Sequence, residues 1–238
     1  PIQTQLKEKT MKFETKCLHA GYSPKNGEPR VQPIVQSTTY TYDSAEEIGK
    51  LFDLQAAGYF YTRLANPTTN AAEEKITALE GGVATMCTAS GQSAVFYAML
   101  NILEAGDHFI SSSYVYGGSY NLFAHTFKKM GIEVTFVDQD LPLEELKKAI
   151  RPNTKAVFAE TIANPALRVL DIEKFAALAK AAEAPLLIDN TFATPYFCRP
   201  IEFGANVVIH STSKYLDGHA IARSEERRVG KECVSTCR

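Results

Sequence analysis

The feature that most constrains this chain is a rhythm of short apolar runs. Six recur from residue 83 onward: "VATMC" (83–87), "DHFIS" (107–111), "EVTFV" (133–137), "KAVFAE" (155–160), "PLLID" (185–189) and "NVVIH" (206–210). They are largely continuous rather than alternating, the pattern of strands covered on both faces. Segments with helical spacing separate most of them. The clearest is "DIEKFAALAKAAEA", with Asp171 placed to cap it and Ile172, Phe175, Leu178 and Ala182 on one face. Strand and helix in alternation predict an α/β fold, a mostly parallel sheet with helices on both faces.

The flanking regions read differently. "TTNAAEEKITALEGG" predicts a helix in which Asn70 and Glu73 resemble a capping pair. Ala72, Ile76 and Leu79 share one face of it, and Gly81 and Gly82 stop it. A Ser-Gly turn then leads into a largely apolar helix, "SAVFYAMLNILEAG". Residues 1–60 hold Pro24, Pro29 and Pro33, the hydroxyl-rich "QSTTYTYDS", and one short helix expected at 44–55. This is the composition of an arm. Residues 223–238, "RSEERRVGKECVSTCR", carry five basic and three acidic residues and continue neither strand nor helix in phase. They read either as a solvated tail or, the favoured reading, as a foreign continuation after Ala222.

Composition narrows the function classes. The chain has 238 residues, 45% hydrophobic and 22% charged, ordinary for a globular protein able to bury a core. A net charge of −2 points to neither nucleic acid nor a membrane surface. No apolar run approaches the ~18 residues of a membrane span. The polar start, "PIQTQLKEKTMKFETK", has no signal-peptide core, so a cytoplasmic location is expected. Cys17, Cys87, Cys198, Cys233 and Cys237 show no zinc-like pairing. Isolated cysteines are expected as small buried hydrophobes. No G-x-G-x-x-G follows the first strand, which argues against a dinucleotide-binding module.

In a parallel α/β sheet, ligands sit beyond the carboxyl ends of the strands. Polar residues stand at those ends here: Ser90, the stretch Ser111–Tyr116, Asn164, Asp189 and the stretch Ser211–Lys214. Lys214 lies among Ser211, Thr212 and Ser213, directly after an apolar run. A nucleophilic lysine needs a desolvated or cation-rich site, and hydroxyls are good donors to a phosphate. The plainer alternative is a surface lysine in a Ser/Thr-rich loop. Ser90 and Gly91 form a strand-to-helix turn suited to an anion. Asp189 suits a metal, a helix cap or a cationic ring nitrogen. Asn164 before Pro165 suits a turn. Tyr116 beside Gly117 and Gly118 suits either core packing or stacking on a flat ring. Together these residues ask for a flat, cationic, phosphorylated ligand with a carbonyl, and pyridoxal phosphate meets all four demands.

The motifs "YTRLANPT", "ASGQSA", "YVYGGSYNLF", "ETIANP", "IDNTFATP" and "HSTSKYLDGH" stand in this order between Phe13 and Ala222. In this the chain resembles the Cys/Met-metabolism family of pyridoxal-phosphate enzymes, and within it the O-acetylhomoserine sulfhydrylase branch. The resemblance implies the large domain of a fold-type I pyridoxal-phosphate transferase at 61–222, a partner-wrapping arm at 1–60 and a non-family tail at 223–238. It implies that Lys214 carries the cofactor as a Schiff base and later moves protons at Cα and Cβ of the substrate. Ser211, Ser213, Gly91 and Gln92, with Ser90 at the same turn, match the phosphate site. Tyr116 matches the ring that stacks on the pyridine, Asp189 the acid at its nitrogen and Asn164 a contact to its hydroxyl, with Thr191 beside the ring. Tyr61 and Arg63 match residues that reach a neighbouring subunit's phosphate, which implies a homo-oligomer, a dimer of dimers.

The activity so implied is γ-replacement of O-acetyl-L-homoserine by sulfide or a thiol, giving homocysteine or methionine plus acetate. Alternatives within the family are a cystathionine γ-synthase and a methionine or cystathionine γ-lyase. Methionine γ-lyases often carry cysteine where this chain has Gly118. Family members continue past the lysine motif into a glycine-rich stretch and a C-terminal domain with a carboxylate-gripping arginine. The sequence leaves the family pattern at Arg223 instead, so the remaining strands, the C-terminal domain and that arginine are expected to be missing. The natural start is expected at Met11. The further alternative is therefore an inactive fragment, expected to bind cofactor weakly and turn over little substrate.

Overall fold

A computed structural model of the chain describes residues 11–218 and the backbone of 233–237. The chain forms two compact units, one ending at Ala78 and the other beginning at Leu79.

The first unit holds helices α1 (Phe13–His19) and α2 (Ala45–Phe52) and most of α3 (Pro67–Glu80). α2 confirms the short helix expected at 44–55; Ser44 caps it by accepting from the amide of Glu47. The cap expected at Asn70 is corrected. Pro67 begins α3, because proline's fixed φ and missing N–H suit a first helical position. Asn66 is the capping side chain, its Oδ1 accepting from the Thr68 amide at 2.9 Å. Asn70 is thus one turn inside the helix. Its buried face is Ile76 and Leu79, while Ala72 is exposed. Extended segments fasten to this helix start: the Val35 amide donates to Thr68 Oγ1 at 2.8 Å, and Asn66 Nδ2 donates to the Val35 carbonyl at 3.1 Å.

The second unit is built on strands β1 (Ala84–Thr88), β2 (His108–Ser112), β3 (Glu133–Val137), β4 (Thr154–Glu160), β5 (Leu186–Asp189), β6 (Val207–Ser211) and β7 (Cys233–Cys237). Among the described residues they form one sheet, in the order β1-β7-β6-β5-β4-β2-β3. β2 through β6 pair in parallel; β7 runs antiparallel between β1 and β6. Residues 233–237 are therefore a strand, against the reading that the last segment continues neither strand nor helix. The rest of that segment, 223–232 and Arg238, lies outside the described residues. Each of the six apolar runs became a strand within one residue of its expected limits; β2, β4, β5 and β6 are largely buried, as continuous apolar runs require, while β1 and β3 at the sheet edges are more exposed.

Helices α4 (Gly91–Leu100), α5 (Gly117–Asn121), α6 (Leu143–Lys147), α7 (Ile172–Ala181) and α8 (Thr194–Phe197) connect the strands. α5 runs on into a π-helical stretch, Leu122–Phe127. Two apolar clusters lie on opposite sheet faces. One gathers Phe109, Phe123, Phe127, Phe158, Leu187 and Ile209 with α4. The other gathers Ile110, Val157, Ile188 and Val208 with Phe175 and Leu178 of α7. Asp171 Oδ1 accepts from the Lys174 amide at 2.9 Å, the cap expected of it, while Ala182 at the other end is only half-buried. Each fully buried aromatic or aliphatic side chain contributes roughly 1.5–3 kcal/mol. The cysteine expectation is corrected at Cys17, which is exposed; Cys87 and Cys198 are half-buried.

Candidate functional site

The alternation of side chains along β4, β5 and β6 sorts the polar residues at their ends onto two faces. Glu160, Asp189 and Ser211 follow the α4-side residues Phe158, Leu187 and Ile209. Thr161, Asn190 and His210 belong to the opposite face.

On the α4 side, one hydroxyl joins two strands. Thr191 Oγ1 donates to Asp189 Oδ1 at 2.5 Å and accepts from the Ser211 amide at 2.8 Å. The Thr191 amide also donates to Asp189 Oδ1, at 3.0 Å. Burial pushes the Asp189 carboxyl up, and the two Thr191 hydrogen bonds and nearby His210 pull it back. Two residues past Ser211, Ser213 Oγ is buried with no hydrogen-bond partner among the described residues. Lys214 follows on the turn, its amide donating to the Ser211 carbonyl at 3.2 Å. Its side chain is exposed. That corrects the expectation of a desolvated lysine at the strand end: three residues past β6, the chain has left the covered sheet.

The N-terminus of α4 faces this turn. A Cβ built on Gly91 would meet Ser211 Cβ at 2.9 Å, so only glycine lets the helix start approach β6 this closely. Ser90 is engaged as the cap of α4, its Oγ accepting from the Ser93 amide at 3.1 Å. With the Ser93 amide capped, the first-turn amides of Gly91 and Gln92 have no intrahelical acceptor, and the helix dipole favours an anion there. Gln92 also reaches forward: its Nε2 donates to Ser119 Oγ at 3.2 Å.

Tyr116 precedes α5 and is 49% exposed, which decides between the two readings left open: it is not core. A Cβ on Gly118 would meet Tyr116 Cε1 at 2.5 Å, so the second glycine makes room for the ring. The Tyr116 amide donates to Glu160 Oε1 at 2.6 Å. Asn164 is half-buried in the loop after β4, before a cis Pro165. Tyr61 and Arg63 belong to the first unit, where Tyr61 pairs with Thr39 and the Arg63 guanidinium lies 5.2 Å from the Tyr61 ring centroid.

Several buried polar residues of the same strand ends had no sequence signal. On the opposite face Glu80, Asn190 and His210 are fully buried. Glu80 Oε1 pairs with His210 Nε2 and accepts from Asn190 Nδ2 at 3.1 Å, and Asn190 Oδ1 accepts from Thr161 Oγ1 at 2.7 Å. Glu160 is also buried, and its carboxyl is pushed up to about 8 by burial and by the Asp189 charge. A glutamate at a helix end before two glycines reads as surface; only the packing makes it interior.

These residues fit pyridoxal phosphate. The orphaned Ser213 hydroxyl, the α4 amides and the close approach at Gly91 make an anion cradle, and Asp189 supplies a carboxylate for a ring nitrogen. Among the described residues no three His, Cys, Asp or Glu side chains cluster as metal ligands would.

Comparison with known proteins agrees. Residues 14–222 match the pattern of the "Cys/Met metabolism PLP-dependent enzyme" family. An O-acetyl-L-homoserine sulfhydrylase of Leptospira meyeri is 47% identical over 212 residues, covering 89% of this chain and 48% of that protein. An L-methionine gamma-lyase of Fusobacterium nucleatum subsp. polymorphum is 45% identical over 206 residues, covering 86% of this chain and 52% of its own. Among solved structures, a putative O-acetylhomoserine (thiol)-lyase of Campylobacter jejuni with a pyridoxyl-lysine monophosphate superimposes with TM-score 0.88 at 35% identity, over 96% of this chain and 54% of that one. The chain thus spans about half the length of the curated relatives it matches. With that much of the sequence and fold shared, the chain belongs to the Cys/Met metabolism PLP-dependent enzyme family.

Proposed function

We propose that the chain carries the cofactor-binding machinery of an enzyme that replaces the γ-substituent of O-acetyl-L-homoserine with sulfide or a thiol. The observation that carries this reading is the continuous link Asp189–Thr191–Ser211, which ties a ring-nitrogen partner to the strand that delivers Ser213 and Lys214. Bound pyridoxal phosphate supplies an electron sink for carbanion chemistry next to an amino group. The chain's residues do the rest. Ser211, Ser213 and the amides of Gly91 and Gln92 grip the phosphate, and Tyr116 stacks on the ring. Asp189 holds a negative charge against the ring nitrogen, and Asn164 addresses the ring hydroxyl. Lys214 Nζ would hold the aldehyde end of the cofactor and would take and return substrate protons. Tyr61 and Arg63 reach the phosphate of a neighbouring copy in a homo-oligomer.

A γ-lyase is the second reading, since a methionine gamma-lyase is nearly as similar as the sulfhydrylase. Gly118 favours replacement, because methionine γ-lyases often carry cysteine where this chain has glycine. Borohydride reduction with pyridoxal phosphate, followed by peptide mass spectrometry, is expected to label Lys214, and Lys214→Ala to abolish the label. Label elsewhere would overturn the site. In an enzyme of the relatives' full length that carries this segment, homocysteine from O-acetylhomoserine plus sulfide, without 2-oxobutyrate from methionine, is expected; the reverse pattern selects the lyase.

A further inference from the structure

Glu160 has no role in the reading above, yet it meets three parts of the site. It ends β4 in register with Asp189, which ends β5. In-register neighbours in a parallel pair point to the same face, so the buried Glu160 carboxyl and the half-buried Asp189 carboxyl stand side by side. Glu160 Oε1 also accepts the Tyr116 amide at 2.6 Å, and the Asn164 amide donates to the same carboxyl. One side chain therefore meets the partner of the ring nitrogen, the turn bearing the stacking ring, and the loop bearing Asn164.

We propose that Glu160 is a positioning residue that couples Asp189 to the Tyr116 turn, holding the turn by its amide while standing in register beside Asp189. This rests on Asp189 being the partner of a cationic ring nitrogen. Two carboxylates this near cannot both ionise cheaply, and they titrate as a pair. Burial raises the Asp189 carboxyl, against two hydrogen bonds from Thr191 and the nearby His210, and its charge in turn raises Glu160. Glu160 keeps the proton until about pH 8, where burial and the Asp189 charge outweigh the two amides. The titratable groups around the pair are Asp189 of β5, Tyr116 of the turn and, beyond Asp189, His210 of β6 with its partner Glu80. A ring cation on Asp189 cancels the charge that holds the proton on Glu160. Docking therefore favours ionised Glu160, whose hydrogen bond to the Tyr116 amide strengthens as it becomes charge-assisted.

The test is the Tyr116 amide resonance followed by NMR against pH. In the protein without cofactor it is expected to titrate with a midpoint near 8. Glu160→Gln keeps an acceptor for the amide and is expected to remove the titration, while Glu160→Ala displaces the resonance at every pH. The second arm adds 4-deoxypyridoxine 5′-phosphate, which has the ring nitrogen and phosphate but no aldehyde for Lys214. Its presence is expected to lower the midpoint by about one pH unit, the scale of one added opposite charge. A titration unchanged in Glu160→Gln, or absent from the wild type, overturns the proposal. An analogue that binds without moving the midpoint overturns the coupling to Asp189. An analogue that fails to bind, beside an intact midpoint near 8, sinks the cofactor-site reading and leaves the carboxyl pair standing.

Discussion

Thr191 shows what a single side chain does at this site. Its hydroxyl is used twice, donating to Asp189 and accepting from the Ser211 amide. Thr191→Val keeps the shape and removes both contacts. The orphaned Ser211 amide is expected to cost about 1–3 kcal/mol of stability, read by urea unfolding. Losing the donor also pushes the Asp189 carboxyl higher still, because that hydrogen bond is one of the three contacts that lower it. Cofactor affinity at neutral pH is then expected to fall roughly tenfold, the effect of about 1.4 kcal/mol. An affinity equal to wild type would show that Thr191 merely fills space. The residue motif pointed to Thr191 only as a neighbour of the ring; its two hydrogen bonds come from β5 and β6 lying side by side.

At the scale of elements, the approach of α4 to β6 is set by Gly91. Gly91→Ala places a Cβ 2.9 Å from Ser211 Cβ, against the strand end rather than a flexible tip. The helix start must retreat by a few tenths of an ångström, and its amides retreat with it. Inorganic phosphate and the cofactor are both expected to bind several-fold more weakly, with the unfolding midpoint nearly unchanged; equal phosphate affinity in the variant would remove the α4 amides from the site. Asp171 offers a contrast away from the site. Its carboxylate caps α7 at the exposed end. Asp171→Ala is expected to cost about 1 kcal/mol in urea unfolding and nothing in cofactor affinity. Strands and the α7 cap were legible in the sequence because each is local: a run of apolar residues, or one acid before a periodic helix. The α3 cap was misplaced because both Asn66 and Asn70 are competent, and Pro67 settles the choice only once its backbone is seen.

At the scale of the whole molecule, stability should depend on acid through His108. It is fully buried between Thr154 and Thr135, each hydroxyl 2.8 Å from a ring nitrogen. Burial, then the charge of Arg151, lower it from 6.5 to about 4, with Glu133 opposing. Below 6.5 the unfolded chain takes up a proton that the folded one refuses, so stability is complete above that pH. It is lost progressively as pH falls from 6.5 toward 4. His108→Gln, which keeps hydrogen-bonding groups but cannot titrate, is expected to flatten that decline in unfolding midpoints. Identical slopes in variant and wild type would assign the acid sensitivity elsewhere. Nothing in "GDHFIS" announces this: the histidine reads as the polar edge of a strand until two threonines from other strands close on it.

The sequence by itself determined the α/β alternation, the places where polar residues follow strands, and the lysine, hydroxyl and acid set that asks for pyridoxal phosphate. These are properties of contiguous segments, and hydrophobic periodicity or motif order displays them directly. Only the tertiary structure decided which of those residues share a face, that Lys214 stands in the open beyond the covered sheet, and that Ser90 is spent on a helix cap. It alone buried Glu80, Glu160 and His210. Burial and like-charge proximity are set by residues distant in the chain, and they move a carboxyl's proton far more than any neighbour in sequence does.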